Sequence, residues 1–271
     1  MASMSSELAK RGLVVTEDLR ARLEAYYTRY YRDQLAIPEW RDLVAVRLAD
    51  QAYEGQRLIR LERALGRSVR GQRLLNVGCG TGGFNRVAEQ AGAIAWGVDA
   101  DPEAADIGGA RMPVGRILCA EAESLPFPDR SFDVVYCFST LEHVADPGRA
   151  LREMVRVLRP DSALYLHTPN RWACFEGHYK VLWVPGLPLW LGRLYLALRG
   201  RPTAFLQTLR PLTLSRCRRL LEGAGARIVH VLDGDASRQV GGVLWPVVRL
   251  YYWIFRVRPY VELVAVRRGD A

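Results

Sequence analysis

From residue 7 to residue 66, apolar side chains recur three and four positions apart. The runs are Leu19, Leu23, Tyr26, Tyr27 and Tyr30, then Leu43, Val46 and Leu48, then Leu58, Leu61 and Leu65. That spacing predicts helices with one buried stripe each. Gly66 and Gly71 mark a stop, and from Arg73 the pattern changes to short β-type runs alternating with helical ones. Strands are expected at Leu74–Val77, Ile94–Val98, Ile117–Cys119, Phe132–Phe138, Ala163–His167, Arg227–Leu232 and Tyr260–Arg267. Helices are expected at Phe84–Ala91, Pro147–Leu158 and Ser215–Gly223. Strands alternating with helices imply parallel crossovers and a sheet covered on both faces. The expectation is an α/β fold: a seven-stranded, mostly parallel, Rossmann-like sheet. Residues 1–70 would form an N-terminal helical lid and 71–271 the sheet domain, with cap insertions at 170–211 and 234–259.

Composition narrows this little. The chain has 271 residues, 49% of them hydrophobic and 25% charged, as in ordinary globular proteins. The opening MASMSSELAKRG has no apolar run after it, so no secretory signal is expected. The longest apolar stretches are broken by Pro185, Pro188, Arg193, Pro246 and Arg249, too early for a spanning helix of roughly 20 residues. Five scattered cysteines without a CxxC pair argue against a zinc site or a disulfide framework and for a reducing, cytoplasmic setting. The net charge of +9 is either a solvated arginine-rich surface, the favoured reading, or a field that attracts nucleic acid, anionic lipid or a phosphorylated substrate. The arginines are spread out, however, and no dense basic run with interleaved aromatics marks a nucleic-acid groove, so no nucleic-acid partner is expected.

One segment carries chemistry. Leu74-Leu75-Asn76-Val77 runs into Gly78-Cys79-Gly80-Thr81-Gly82-Gly83, and a helix starts after it. Glycines permit positive φ and let a ligand approach the backbone, and the helix start beyond offers free N–H groups. The next strand ends in Asp99, 21 residues after Gly78, close to the spacing of roughly 20 at which an acid meets ribose hydroxyls. A structural turn followed by a strand-end aspartate has the same look. The loop reads G-x-G-x-G, whereas dinucleotide sites prefer G-x-G-x-x-G.

The residues that follow complete a pattern. Cys119-Ala120-Glu121-Ala122-Glu123-Ser124-Leu125-Pro126-Phe127-Pro128-Asp129, Ser131-Phe132-Asp133-Val134-Val135, Leu141-Glu142-His143-Val144 and Arg156-Val157-Leu158-Arg159-Pro160 resemble class I S-adenosylmethionine-dependent methyltransferases. The likeness is to the ubiquinone/menaquinone-biosynthesis branch and its relatives in bacterial secondary metabolism, and it covers about Gly71–Thr168. It implies S-adenosyl-L-methionine as cofactor, with Gly78, Cys79, Gly80 and Gly82 around its methionine part and Asp99 on the ribose. It further implies Ala100 beside the adenine, Glu121 and Ala122 at its polar edge, and Phe138 and Ser139 near the sulfonium. Two departures bear on the site. Asn76 stands where the family often has an acid. Ser139 stands where some quinone relatives place a metal-ligating acid, so no metal is expected.

Methyl transfer from a sulfonium mainly needs alignment, and a base only when the acceptor must lose a proton. His143 follows the fourth strand at the carboxyl edge of the sheet, where such folds place ligands; a packed or backbone-bonded histidine fits equally. Glu176 and His178, two apart in the first insertion, make an acid/base pair or a loop staple. His167 reads as core and His230 as surface. The stretches Trp183–Leu191 and Val243–Val257 are too apolar for free loops. They cap an apolar acceptor, pack in the core, or touch a membrane surface as a peripheral contact. The tyrosines at 26, 27, 30 and 31, with Trp40, either close the site or pack on the domain. The function expected is methyl transfer from S-adenosylmethionine to an O or C atom of a small, apolar or lipid-like acceptor (natural product, quinone or isoprenoid). A nicotinamide-dependent oxidoreductase and a non-catalytic S-adenosylmethionine-binding protein are the alternatives.

Overall fold

The computed structural model describes residues 16–233 and 245–269. The first nine helical positions predicted from residue 7, and 234–244 of the second insertion, lie outside the described residues. Seven strands form one sheet: β1 (Arg73–Val77), β2 (Ile94–Asp99), β3 (Ile117–Cys119), β4 (Phe132–Phe138), β5 (Leu158–Pro169), β8 (Ala226–Val231) and β9 (Tyr260–Arg267). Their order is β3-β2-β1-β4-β5-β9-β8. The first five are parallel and β9 and β8 antiparallel. All seven expected strands are present. β5 starts five residues earlier than its apolar run, because Asp161 takes φ 58° and Phe132–Val134 shifts register, a bulge that carries the Arg159-Pro160 turn into the ladder.

Period-two alternation sends neighbouring side chains to opposite faces, and each face builds a core. Leu75, Val77, Val135, Cys137, Leu164 and Leu166 meet α6 (Pro147–Val157) and α8 (Leu214–Gly223). Leu74, Val134, Tyr136, Ala163 and Tyr165 meet α3 (Asp50–Leu65) and α4 (Gly83–Gln90). α6 starts as its sequence suggests: Asp146 accepts from the Gly148 and Arg149 N–H groups, and Pro147 occupies the first turn, where its missing N–H costs nothing. α5 (Pro102–Gly109) uses the same device through Asp101.

The predicted lid divides by what it packs on. Leu58, Leu61 and Ala64 of α3 belong to the sheet core. α1 (Glu17–Thr28), a π-helical turn Arg29–Gln34 and α2 (Trp40–Leu48) lie over the carboxyl edge. Tyr31, Leu35, Ile37 and Val44 share a small core with Tyr179, Val181, Leu196 and Leu206 of the first insertion. That insertion folds as a hairpin, β6 (Phe175–Glu176) with β7 (Val181–Leu182), then α7 (Leu189–Leu198) and a 3-10 turn Phe205–Thr208. The second insertion contributes α9 (Trp245–Ile254).

α3 is pinned to the last strand by a buried charge. Glu262 on β9 is fully buried; it accepts from Tyr165 Oη at 2.6 Å and pairs with both Arg60 Nε, at 2.6 Å, and Arg60 Nη2. Removing one partner strands the other charge in a low-dielectric interior. Arg60→Met is therefore expected to lower stability by about 2 kcal/mol, discounted because Arg60 is itself part-exposed. Urea unfolding checks this, and a change under about 0.5 kcal/mol would contradict it.

Candidate active site

The glycine loop is folded by its neighbours. The Gly78 and Cys79 N–H groups both donate to Val98 O at 2.9 Å, which turns the chain sharply off β1 toward the end of β2. Gly78, Gly80 and Gly82 all take positive φ, a region that costs other residues roughly 1–2 kcal/mol. A Cβ on Gly78 would overlap the side chain of Thr140, whose hydroxyl donates to Val77 O at 3.2 Å. Gly80 has nothing within 4 Å of where a Cβ would stand, so its backbone faces open space. The Cys79 side chain is buried beneath the loop, its thiol pushed well up by burial and by Asp99; only its backbone lies at the rim.

Asp99 ends β2 and ties the loop down. One carboxylate oxygen accepts from Gly80 N–H at 2.6 Å and the other from Asp101 N–H at 3.0 Å. Burial raises its pKa, and those two N–H groups hold it back. Ala120 N–H donates to Asp99 O at 3.0 Å, so the ends of β2 and β3 are joined. Ala100 and Glu121 are exposed at these strand ends and Ala122 is buried. Asn76 does not reach the cleft: its amide donates to Asn85 Oδ1 at 2.7 Å, and Asn85 in turn to Trp96 O.

α1 lies across the loop. Tyr27 Oη is 2.8 Å from Thr81 Oγ1, and Tyr26 Oη donates to Asp101 at 3.0 Å. Phe138, at the end of β4, is held between the His167 ring at 3.9 Å and the Arg57 guanidinium at 3.7 Å. Ser139 sits at φ 52° and its N–H donates to His167 O. His167 is buried and kept neutral, first by burial and then by Arg57 and Arg60. His230 is exposed.

Past β4, three separate segments converge. His178 Nδ1 lies 2.8 Å from Glu176 Oε1, and Glu176 Oε2 accepts from Tyr179 N–H at 2.6 Å. His178 Nε2 is 3.9 Å from Glu142 Oε1. Glu142 is 1% exposed; its other oxygen accepts from Thr168 Oγ1 at 2.8 Å, while Oε1 has no hydrogen-bond partner in the structure. The His143 and His178 rings meet edge-on at 5.2 Å, with Phe205 within 5.5 Å of both and Tyr30 against Phe205. Burial and the neighbouring His178 push His143 down to about 4. Burial also works against a charged His178, but the Glu176 hydrogen bond and charge, with Glu142 behind them, raise it. Burial raises Glu142.

The expected trio of His143, Glu176 and His178 is thus brought together. Glu142, read in the sequence only as part of a motif, completes it; its signal was the polar residue beside His143 in an otherwise apolar turn. Arg57 was also missed, since nothing in a helical repeat says which strand end its side chain will reach. The set suits proton transfer. Glu142, His143 and His178 also present one ligand atom each within 4.8 Å of one another, and a carboxylate on the far nitrogen of a histidine is how metal-binding imidazoles are oriented.

Comparison with known proteins bears on this geometry. Residues 75–166 match the methyltransferase domain family. This segment is a methyltransferase domain. Among curated relatives, a malonyl-[acyl-carrier protein] O-methyltransferase of Serratia marcescens is 34% identical over 116 residues, 42% of this chain and 43% of that protein. A ubiquinone biosynthesis O-methyltransferase of Coxiella burnetii is 30% identical over 38% of this chain and 46% of its own. The match spans under half the length of each. Among solved structures, an S-adenosylmethionine-dependent methyltransferase of Mesorhizobium loti aligns with TM-score 0.54 at 21% identity, over 77% of this chain and 96% of that one. The [4+2]-cyclase SpnF aligns at TM-score 0.52 and 22% identity, over 81% and 83%. The fold is that of class I S-adenosylmethionine-dependent methyltransferases, and domain and fold imply that cofactor.

The residues present fit it. Gly80 leaves the approach open, and the Asp99 carboxylate keeps lone pairs beyond its two N–H contacts for ribose hydroxyls. Asp99→Ala is expected to weaken S-adenosylhomocysteine binding by more than about tenfold, or ~1.4 kcal/mol, in calorimetry. A smaller loss would remove Asp99 from the ribose.

Proposed function

We propose that the protein transfers a methyl group from S-adenosylmethionine to an oxygen of a small, apolar or lipid-like acceptor, with His178 as the base. The observation that carries this is the Glu176–His178–Glu142 arrangement at the carboxyl end of β4, with Glu142 buried and the other two part-buried, where Thr140 contacts Gly78 and the turn 141–143 leads directly to the cluster. The apolar walls of Tyr30, Phe205 and Tyr179 support an acceptor of like character. Carbon acceptors remain the less favoured form of the same reading, since a carbon nucleophile has less need of a histidine base. The two O-methyltransferases among the relatives support the choice of oxygen. A cytoplasmic setting belongs to the proposal, supported by five free cysteines; among the described residues no helix is long and apolar enough to cross a membrane.

When bound, S-adenosylmethionine supplies an activated methyl group on a sulfonium. Gly78–Gly82, Asp99 and the strand-end residues Ala100, Glu121 and Ala122 would hold and orient it, and Phe138 and Ser139 would border the acceptor. His178 takes the acceptor hydroxyl proton on Nε2 as the oxygen gains the methyl. Glu176 fixes the ring through Nδ1 and stabilises the imidazolium that forms, as an orienting carboxylate does for a histidine base. α1 and the tyrosines exclude water from the cleft. His143, kept neutral, offers an uncharged hydrogen-bonding partner beside the base.

The sign of the pH dependence follows. A base works unprotonated, and His178 is held protonated above the ordinary histidine range, so turnover is expected to rise with pH through that raised pKa. Glu176→Gln removes the charge that raises it; the limb should move to lower pH while kcat falls. His178→Ala should cost about a hundredfold or more in kcat with S-adenosylhomocysteine affinity unchanged. Labelled methyl transfer onto quinol, phenolic and isoprenoid acceptors, followed against pH, tests all three. A flat profile or an active His178→Ala would remove the base, and no transfer to any acceptor would contradict methyl transfer itself.

A further inference from the structure

Two helices expose the wrong side chains. On α7 the outward positions are Leu189, Trp190, Arg193, Leu194, Ala197 and Leu198, one stripe at helical spacing with a single polar member. Trp190 is 66% and Leu198 79% exposed. On α9 and just beyond it, Val247, Leu250, Trp253, Ile254 and Phe255 face out, Trp253 at 76%. The inner sides of both helices are satisfied: Gly192 lies against Trp183, and Val248 and Tyr252 pack with Cys174. The two stripes are linked. Tyr251 Oη donates to Trp172 O at 3.1 Å, and the Trp172 ring covers Gly186 in the turn leading into α7. Soluble proteins rarely leave a large continuous apolar patch facing water, and such patches mark contact surfaces.

Charge selects the occupant. From residue 177 to 221 the sequence has one lysine, seven arginines and no aspartate or glutamate; from 245 to 261 it has three arginines and again no acid. Lys180, Arg193, Arg199, Arg249 and Arg256 are exposed on or next to the apolar stripes. A second copy laid on this face by a two-fold axis would set like charges against like. Tryptophan and phenylalanine among leucines, flanked by arginine, is instead the composition of helices that lie in the lipid headgroup region, where each cation adds attraction to anionic lipid.

We propose that α7, the 184–187 turn and α9 together form a docking face for an anionic lipid bilayer, with both helices lying in the interface plane. α9 packs through Val248 and Tyr252 on the Phe175 and Leu182 face of the β6–β7 hairpin, opposite its Glu176 and Val181 face, so a docked protein holds that hairpin near the membrane surface. Docking is independent of methyl transfer and stands or falls alone.

Sedimentation of the full chain with vesicles provides the test. Binding is expected to vesicles containing phosphatidylglycerol and not to pure phosphatidylcholine, with release by high salt. Paired substitution Trp190→Ser with Trp253→Ser, and separately Arg193→Glu with Arg249→Glu, should each lower the partition coefficient at least about tenfold. Both pairs are exposed, so the thermal unfolding midpoint should stay unchanged. The proposal is overturned if the chain ignores anionic vesicles, if it binds neutral ones equally, or if the tryptophan pair leaves binding intact. It is also overturned if that pair only turns a dimer into a monomer in sedimentation velocity, which would make a second copy the occupant.

Discussion

The carboxylate of Asp99 holds the carboxyl edge of the sheet together. It receives the Gly80 N–H on one oxygen and the Asp101 N–H on the other, so one side chain fixes both the glycine loop after β1 and the start of α5. Charge-assisted bonds to backbone amides are short and strong, and this one determines where the loop's backbone stands open. Everything placed on the cleft inherits that position. Thr140 packs where Gly78 lacks a side chain, Tyr27 reaches Thr81, and Tyr26 reaches Asp101. The helical layer over the site is thus registered on the same few residues as the loop beneath it.

The second constraint is the burial of Glu142. A carboxylate out of water needs partners, and it has Thr168 on one oxygen and only the distant His178 Nε2 near the other. It leaves an acceptor position unfilled beside a histidine whose other nitrogen is already committed to Glu176. The insertion therefore acts as more than an apolar lid. It delivers Glu176 and His178 and, through Tyr179, Val181 and Leu206, shares a core with Tyr31 and Val44. Sheet, hairpin and N-terminal helices meet around one polar cluster walled by aromatic rings.

Much of the fold was legible because period-two and period-three-to-four patterns report burial directly. The seven strands, their mixed order of helices and the Asp146-Pro147 helix start all follow from local residue choice. The cofactor half of the site was legible for the same reason: Gly78–Gly83 and Asp99 are neighbours across adjacent parallel strands, so spacing along the chain translates into distance. The other half was legible only in its members. His143, Glu176 and His178 stood out by residue type, but their meeting depends on how a two-stranded hairpin folds back, and no repeat encodes that. Glu142 and Arg57 were hidden because a buried charge looks the same in sequence as a solvated one. The antiparallel setting of β8 and β9 likewise rests on long connections rather than on either strand's own pattern.

The central claim is that the Glu142–His178–Glu176 cluster stands beside the reacting methyl group. Histidine-selective NMR titration of the complexes with S-adenosylmethionine and with S-adenosylhomocysteine tests it most directly, with His178→Gln assigning the resonance. The two ligands differ by one positive charge at sulfur, and like charge disfavours the imidazolium. The account predicts a lower His178 pKa in the S-adenosylmethionine complex than in the S-adenosylhomocysteine complex. Identical titration in the two, with both ligands bound, would place the cluster away from the sulfur and contradict the account.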